Sequence, residues 1–367
     1  MAEALKNQIN KKLISLLASD LIAENSKFKD EKFLRLVKSS VLANEIELKL
    51  RISNLATALH KTLPGTYQEQ VEILKKVAPK YNSTLMGLVF SNFVELYCGD
   101  DWDYSLKALK YFTKFSTAEY AIRLFIRKNP EKLMQVLKDW AGDKNVHVRR
   151  LASEGCRPRL PWARVIPWLK ENPDAILAVL EKLKDDPELY VKKSVANNLN
   201  DISKDYPNLV LNFAKKWYGS NENINWIIKH ALRNMLKSGN QSALDILAYK
   251  TPNNLLFSNF ILRKKAISIG EHLEFSFDCL FNTLSGSNTE IFRIEYAIHF
   301  LRANKTYHRK VYKIKEAVFS NKIKETFVKK HLFIQRSTRT LYKGEHKIEI
   351  IINGKVFSNN VFVLKNS

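Results

Sequence analysis

Cysteine is scarce in this chain: Cys98, Cys156 and Cys279 are the only three in 367 residues, odd in number and far apart. That pattern excludes a disulfide framework and a thiolate zinc site, and it suits a reducing cytosol. The eight histidines contain no HxxxH pair and no Cys/His cluster, so no metal and no cofactor are expected. Long apolar runs are missing, because Lys or Asp interrupts each of them, and no membrane partner is expected. The opening stretch "MAEALKNQINKKLISLLASDLIAENSKF" reads as an amphipathic helix, without the apolar run and cleavage site of a secretory leader. Acidic residues are also short: 37 Asp+Glu stand against 60 Lys+Arg, a formal net charge of +23. Such an excess does not specify a fold. It predicts attraction to a polyanion, either nucleic acid or an anionic membrane surface.

What is present suffices for a large core and two domains, with 45% of residues hydrophobic. Up to about residue 250 the chain reads as helix after helix. In "NPDAILAVLEKLKDD", Asn172 can cap, Pro173 suits the first turn, and Ile176, Leu177, Val179, Leu180 and Leu183 form a stripe. The next helix is expected to start at Asp186-Pro187 and to stop at Pro207. All six tryptophans precede residue 227, and past residue 251 strand-like runs take over: "HLEFSFDCLF", "FRIEYAIHFLRA", "KETFVKKHLFI" and "HKIEIIINGKVFSNNVFVL". The last contains an Asn-Gly hairpin signal. The expected fold is therefore mainly α: a HEAT-like helical-repeat solenoid over residues 1–252, then a small all-β immunoglobulin-like sandwich over 262–367, with 252–261 as linker. Residues 251–367 hold 20 Lys+Arg against 9 Asp+Glu, a surface for DNA or for solubility.

The helical half repeats itself. "VRRLASEG" from Val148, "VKKSVANN" from Val191 and "IIKHALRN" from Ile227 share an apolar residue, basic residues, then small or apolar ones, at offsets of 43 and 36 residues. Residues four apart share a helical face. Val191, Val195, Leu199 and Ile202 thus form a core stripe, with Lys193, Asn197 and Asp201 opposite; Val148, Leu151, Ala152 and Gly155 form another, opposite Arg150, Glu154 and Arg157. Lys229, Arg233 and Lys237 continue the pattern, and the register sets Arg150, Lys193 and Lys229 at equivalent positions. These are either solvated faces or a groove that tracks a phosphate backbone on the concave side.

Acids in such a groove repel phosphate. Glu154 and Asp201 therefore act on something positive, or serve only as partners of Arg150, Arg157, Lys193 or Lys204. Trp162 covers a helix end or offers an aromatic wall to a base or sugar. Glu119 lies in a Ser116-x-x-Glu119 capping box.

The segments "VRRLASEGCRPRLPWA" and "VKKSVANNLNDISKDYP" resemble the AlkC-type branch of the AlkC/AlkD superfamily of alkylated-base DNA glycosylases, through most of residues 1–250. Some members carry a C-terminal immunoglobulin-like domain. Cys156 departs from the family, which more often has Ser or another small residue there. The resemblance implies hydrolysis of the N-glycosidic bond of cationic lesions such as 3-methyladenine and 3-methylcytosine in duplex DNA, without full base flipping. It implies Glu154 and Asp201 as acids near the lesion and Trp162 as the aromatic against it; Glu119 is kept as a third catalytic candidate. Backbone contacts are expected from Arg149, Arg150, Arg157, Arg159, Lys192, Lys193, Asn197, Lys229, His230 and Arg233. A monofunctional, monomeric, cytoplasmic and nucleoid-associated enzyme is expected. Competing readings are a non-catalytic DNA-structure binder and a scaffold for RNA or anionic lipid.

Overall fold

A computed structural model of the protein describes residues 5–43, 46–282, 289–336 and 339–366. The chain divides into two compact units, Met1–Val210 with Gly219–Ala231, and Leu211–Tyr218 with Leu232–Ser367. The first is helical and repeat-like. Its helices turn apolar stripes inward, and Val148, Leu151, Val191, Val195 and Leu199 are fully buried. Each stripe needs its neighbour to bury it, which is why the helices stack. Among the described residues no helix is long and apolar enough to cross a membrane.

Several boundaries differ from the sequence reading, each for a local reason. Asp186 does not cap a helix; its carboxylate accepts from Arg149 Nε at 2.6 Å and from the Glu188 amide at 3.0 Å. The helix accordingly starts later and spans Leu189–Ile202. Pro207 opens the next helix, Pro207–Trp217, instead of ending the previous one, since its missing N–H is harmless in a first turn. Ser116 caps nothing: Thr117 Oγ1 accepts the Glu119 amide at 3.2 Å, and the helix begins at Ile122. Lys229 and Arg233 do not share a helix, because Glu222–Ala231 stops before Leu232 and a new helix starts at Arg233.

The second unit carries eight strands among the described residues: β1 (Leu256–Leu262), β2 (Ala266–Ser268), β3 (His272–Phe281), β4 (Thr289–Leu301), β5 (Tyr307–Ser320), β6 (Ile323–Leu332), β7 (Gly344–Ile352) and β8 (Lys355–Lys365). They form the immunoglobulin-like sandwich of two sheets, ordered β1-β3-β6 and β2-β8-β7-β4-β5. Strand β1 occupies most of the segment read as linker. Between β7 and β8, Asn353 at φ +45° and Gly354 at φ +78° make the tight turn, with Ile352 opposite Lys355. The core is aromatic: Phe275, Phe277 and Phe281 of β3 meet Phe292 of β4, Phe327 of β6 and Phe362 of β8.

His331 of β6 lies in this core, with Nδ1 2.8 Å from the Tyr296 hydroxyl. Burial, reinforced by Arg339 and Lys310, pushes its pKa down from 6.5 to about 4. The unfolded chain takes up this proton near pH 6.5 and the folded one does not. The contribution is therefore complete above about pH 6.5 and is lost as pH falls toward 4, on the order of 3 kcal/mol. Calorimetry of the full chain should show this loss in the unit carrying β1–β8. His331→Gln, which keeps a polar partner for Tyr296 but cannot charge, should flatten the slope; an unchanged slope would exclude His331 as its source.

Candidate active site

The helix Val146–Gly155 starts at Asn145, whose side chain accepts the His147 amide at 3.0 Å. With Val148, Leu151 and Ala152 turned into the core, Arg150 and Glu154 emerge on the other side, one turn apart. Pro158 and Pro161 then keep the following segment non-helical, and Arg157 returns beside Glu154. The helix Leu189–Ile202 supplies Ser194 and Asp201 from its neighbouring position.

These side chains form one chain of alternating charges. The Arg150 Nη1 group donates to Glu119 Oε2 at 2.5 Å and to Thr117 Oγ1 at 2.8 Å, and Nη2 lies 3.5 Å from Glu154 Oε1. Arg157 Nη1 donates to the same Glu154 Oε1 at 2.7 Å, while its Nε and Nη2 both reach Asp201 Oδ2 at 2.9 Å. Ser194 Oγ donates to Glu154 Oε2 at 2.6 Å, and Lys204 Nζ to Asp201 Oδ1 at 3.2 Å. Glu119, Glu154, Arg157 and Asp201 are only 8%, 5%, 7% and 3% exposed. Buried carboxylates require such partners, since desolvation of an unpaired charge costs several kcal/mol. For both guanidinium groups burial acts to lower the pKa, but the facing carboxylates outweigh it and raise the pKa above its ordinary value.

The three acids named from the sequence are thus brought together, with guanidinium groups between them. Their rim is aromatic: the Tyr190 ring lies 5.1 Å from the Arg150 guanidinium and 5.7 Å from the His147 ring. His147, Tyr190, Arg150, Glu119 and Thr117 border a hollow of about 350 Å³. Trp162 is 66% exposed at φ +62°, a left-handed backbone conformation that an aromatic residue seldom adopts. It borders a second cavity of about 500 Å³ with Tyr120, Arg123 and Arg164.

The expected phosphate ladder is divided. Four of its arginines already face carboxylates: Arg150 and Arg157 as above, Arg149 on Asp186 at 2.6 Å, and Arg159 on both oxygens of Asp205 at 2.8 and 2.9 Å. A guanidinium matched by a carboxylate adds little net field for phosphate, and of these four only Arg159 is exposed. Lys192 donates to Asn223 at 2.9 Å with its ammonium 5.9 Å from the Trp226 ring, on which His230 stacks at 3.7 Å. Lys193 is exposed, with no ion pair among the described residues. Asn197 is half-buried on the same helix; Lys229 and His230 end theirs; Arg233 begins the next.

Sequence reasoning missed Thr117, Ser194 and Tyr190, which hold or border the acids, and Arg123. Arg123 sits among Ile122, Leu124, Phe125 and Ile126 in the helix Ile122–Lys128, 2% exposed, and it donates to three backbone carbonyls: Gly155 at 3.1 Å, Arg157 at 2.9 Å and Arg164 at 3.0 Å. Four apolar neighbours around a single arginine were the available signal.

A family model described as DNA alkylation repair enzyme matches residues 73–235, and one described as the C-terminal Ig-like domain of uncharacterised protein YhaZ matches 257–366. A Bacillus subtilis (strain 168) relative, named Uncharacterized protein YhaZ, is 41% identical over 352 residues, covering 96% of this chain and 97% of that protein. The solved structure of Pseudomonas fluorescens alkylpurine DNA glycosylase AlkC, bound to DNA containing an abasic site analog, matches with a TM-score of 0.92 at 32% identity, covering 99% of this chain and 100% of that one. With likeness of that extent in both sequence and fold, this chain belongs to the DNA alkylation repair enzyme family, in the AlkC-type branch of the AlkC/AlkD superfamily.

Proposed function

We propose that the protein is an alkylpurine and alkylated-base DNA glycosylase that hydrolyses the N-glycosidic bond of cationic bases, 3-methyladenine and 3-methylcytosine among them, in duplex DNA. The observation that carries this reading is the buried row Glu119, Glu154 and Asp201, fixed in place by Arg150 and Arg157. A methylated cationic base leaves without a proton donor, so the barrier lies in the sugar, which develops oxocarbenium character. Carboxylates held rigidly beside it stabilise that charge at no cost of reorganisation, and one of them orients the attacking water. The arginines are positioning groups here rather than phosphate contacts. Trp162 stands against the lesion nucleotide, whose positive charge favours an aromatic face and whose extrusion is not required. No lysine nucleophile is invoked, so the proposed enzyme is monofunctional; it is proposed to act on cellular DNA as a single chain.

Incubation with methylated duplex DNA and chromatography of the released bases tests this. Release of 3-methyladenine with the strands left uncut is expected; no release from any alkylated duplex would sink the reading. A second reading, a non-catalytic binder of DNA structure, is favoured by one observation: carboxylate oxygens of all three acids are already engaged by cations. It predicts tight binding with no base release.

Backbone contact falls to Lys192, Lys193, Asn197, Lys229, His230 and Arg233, and residues 262–367 add affinity as a basic domain of their own. Lys193→Ala should weaken binding to all duplexes alike and reduce the slope of log affinity against log salt by roughly one. An unchanged salt slope, read by fluorescence anisotropy, would remove Lys193 from the interface.

A further inference from the structure

We infer that Arg123 is the positioning residue for Trp162, holding the loop that carries the indole by closing it on a single guanidinium. The inference rests on the glycosylase reading above. Two of the carbonyls that Arg123 binds, Gly155 and Arg157, lie at and just past the C-terminal end of the Glu154 helix, where backbone oxygens lack helical partners. The third, Arg164, lies seven residues further along. Between them runs the Pro158–Pro161 turn and then Trp162. One side chain therefore fixes both ends of the loop relative to the helix that bears Glu154.

The loop needs such a clamp. Trp162 is largely exposed and sits at positive φ, so neither packing of its ring nor backbone preference holds it there. Arg159 on Asp205 and the buried Leu160 tie the loop ahead of the indole, but beside Trp162 the Tyr120 hydroxyl makes only a long contact, 3.5 Å, to Pro161 O. Arg123, by contrast, is buried and makes no ion pair among the described residues, its charge being met by carbonyl dipoles. Its planar fork of donors reaches carbonyls on two sides of the loop, a geometry that the single ammonium of lysine does not reproduce. A positively charged group kept in the interior without a counter-carboxylate is costly, and the loop geometry is what it secures.

The test combines spectroscopy with kinetics on the full chain. In protein labelled with 5-fluorotryptophan, the Trp162 resonance is assigned by its disappearance in Trp162→Phe. Arg123→Gln should shift and broaden that resonance while leaving most of the other tryptophan signals in place, and Arg123→Lys should fall between. Single-turnover base release should slow roughly 10- to 100-fold in Arg123→Gln, the scale of a small misplacement, with affinity for undamaged duplex within about twofold. If Arg123 acts through Trp162, Arg123→Gln combined with Trp162→Ala should be no slower than Trp162→Ala alone. Fully additive losses, or an unmoved Trp162 resonance in a folded Arg123→Gln protein, would overturn the inference. Should Arg123→Gln fail to fold, Arg123→Lys carries the same readouts. In the wild type, slowly exchanging Nη protons assigned to Arg123 by their loss in Arg123→Gln report the clamp directly; their absence counts against it. A wild type that releases no base refutes the glycosylase reading, whereas the resonance and exchange experiments still judge the clamp.

Discussion

Glu154→Gln and Asp201→Asn should each slow base release by about a hundredfold or more, on the order of 3 kcal/mol, while affinity for undamaged duplex holds or rises. Both changes keep shape and hydrogen-bonding capacity and delete one charge. In Glu154→Gln the amide oxygen can still accept from Arg157, and Ser194 retains an acceptor or becomes one. Loss of rate would then report lost field at the sugar rather than a collapsed site. Single-turnover release of 3-methyladenine measures the first effect and anisotropy on unmodified duplex the second. Folded variants that release base at the wild-type rate would reduce both acids to partners of the arginines, the reading that their ion pairs also allow.

The same ambiguity is legible in the sequence. The spacing Arg150, Glu154, Arg157 places the three on one helical face, and both outcomes, pairing and catalysis, follow from it. The periodicity could not show that Asp201 meets Arg157 across 44 positions. Nor could it separate a solvated arginine from a paired one: Arg149 and Asp186 are 37 apart, and only packing of two helices brings them together. The same pairing explains why the helix thought to start at Asp186 starts at Leu189. In the second unit, β3, β6 and the β7–β8 hairpin were readable because their burial alternates or their turn is Asn-Gly. Strand β5 was not, because much of its face is charged and exposed at a sheet edge. Strand β1 hid in "LFSNFIL", whose register breaks between Ser258 and Ile261.

Arg157→Met should be the most destabilising single change in the cluster. Arg157 bonds two carboxylates at once, Glu154 at 2.7 Å and Asp201 at 2.9 Å. An apolar chain of similar length fills the space but leaves both acids buried, with Ser194, Lys204 and the more distant Arg150 as their remaining partners. Removing one member of a buried pair typically costs about 3–5 kcal/mol, because the remaining charge stays desolvated. The asymmetry of that cost supplies the control. Neutralising the acids as well, in Arg157→Met with Glu154→Gln and Asp201→Asn, removes the stranded charges, so the triple variant should recover most of the loss. Denaturant unfolding of the full chain, followed by tryptophan fluorescence, reads the first unit, since five of the six tryptophans lie there. A single variant within about 1 kcal/mol of wild type would mean that the pair is worth no more than a surface ion pair. A triple variant no better than the single would place the cost in packing, not in charge. Base release should be lost in both, in the single variant because the carboxylates are no longer held, and in the triple because they are gone.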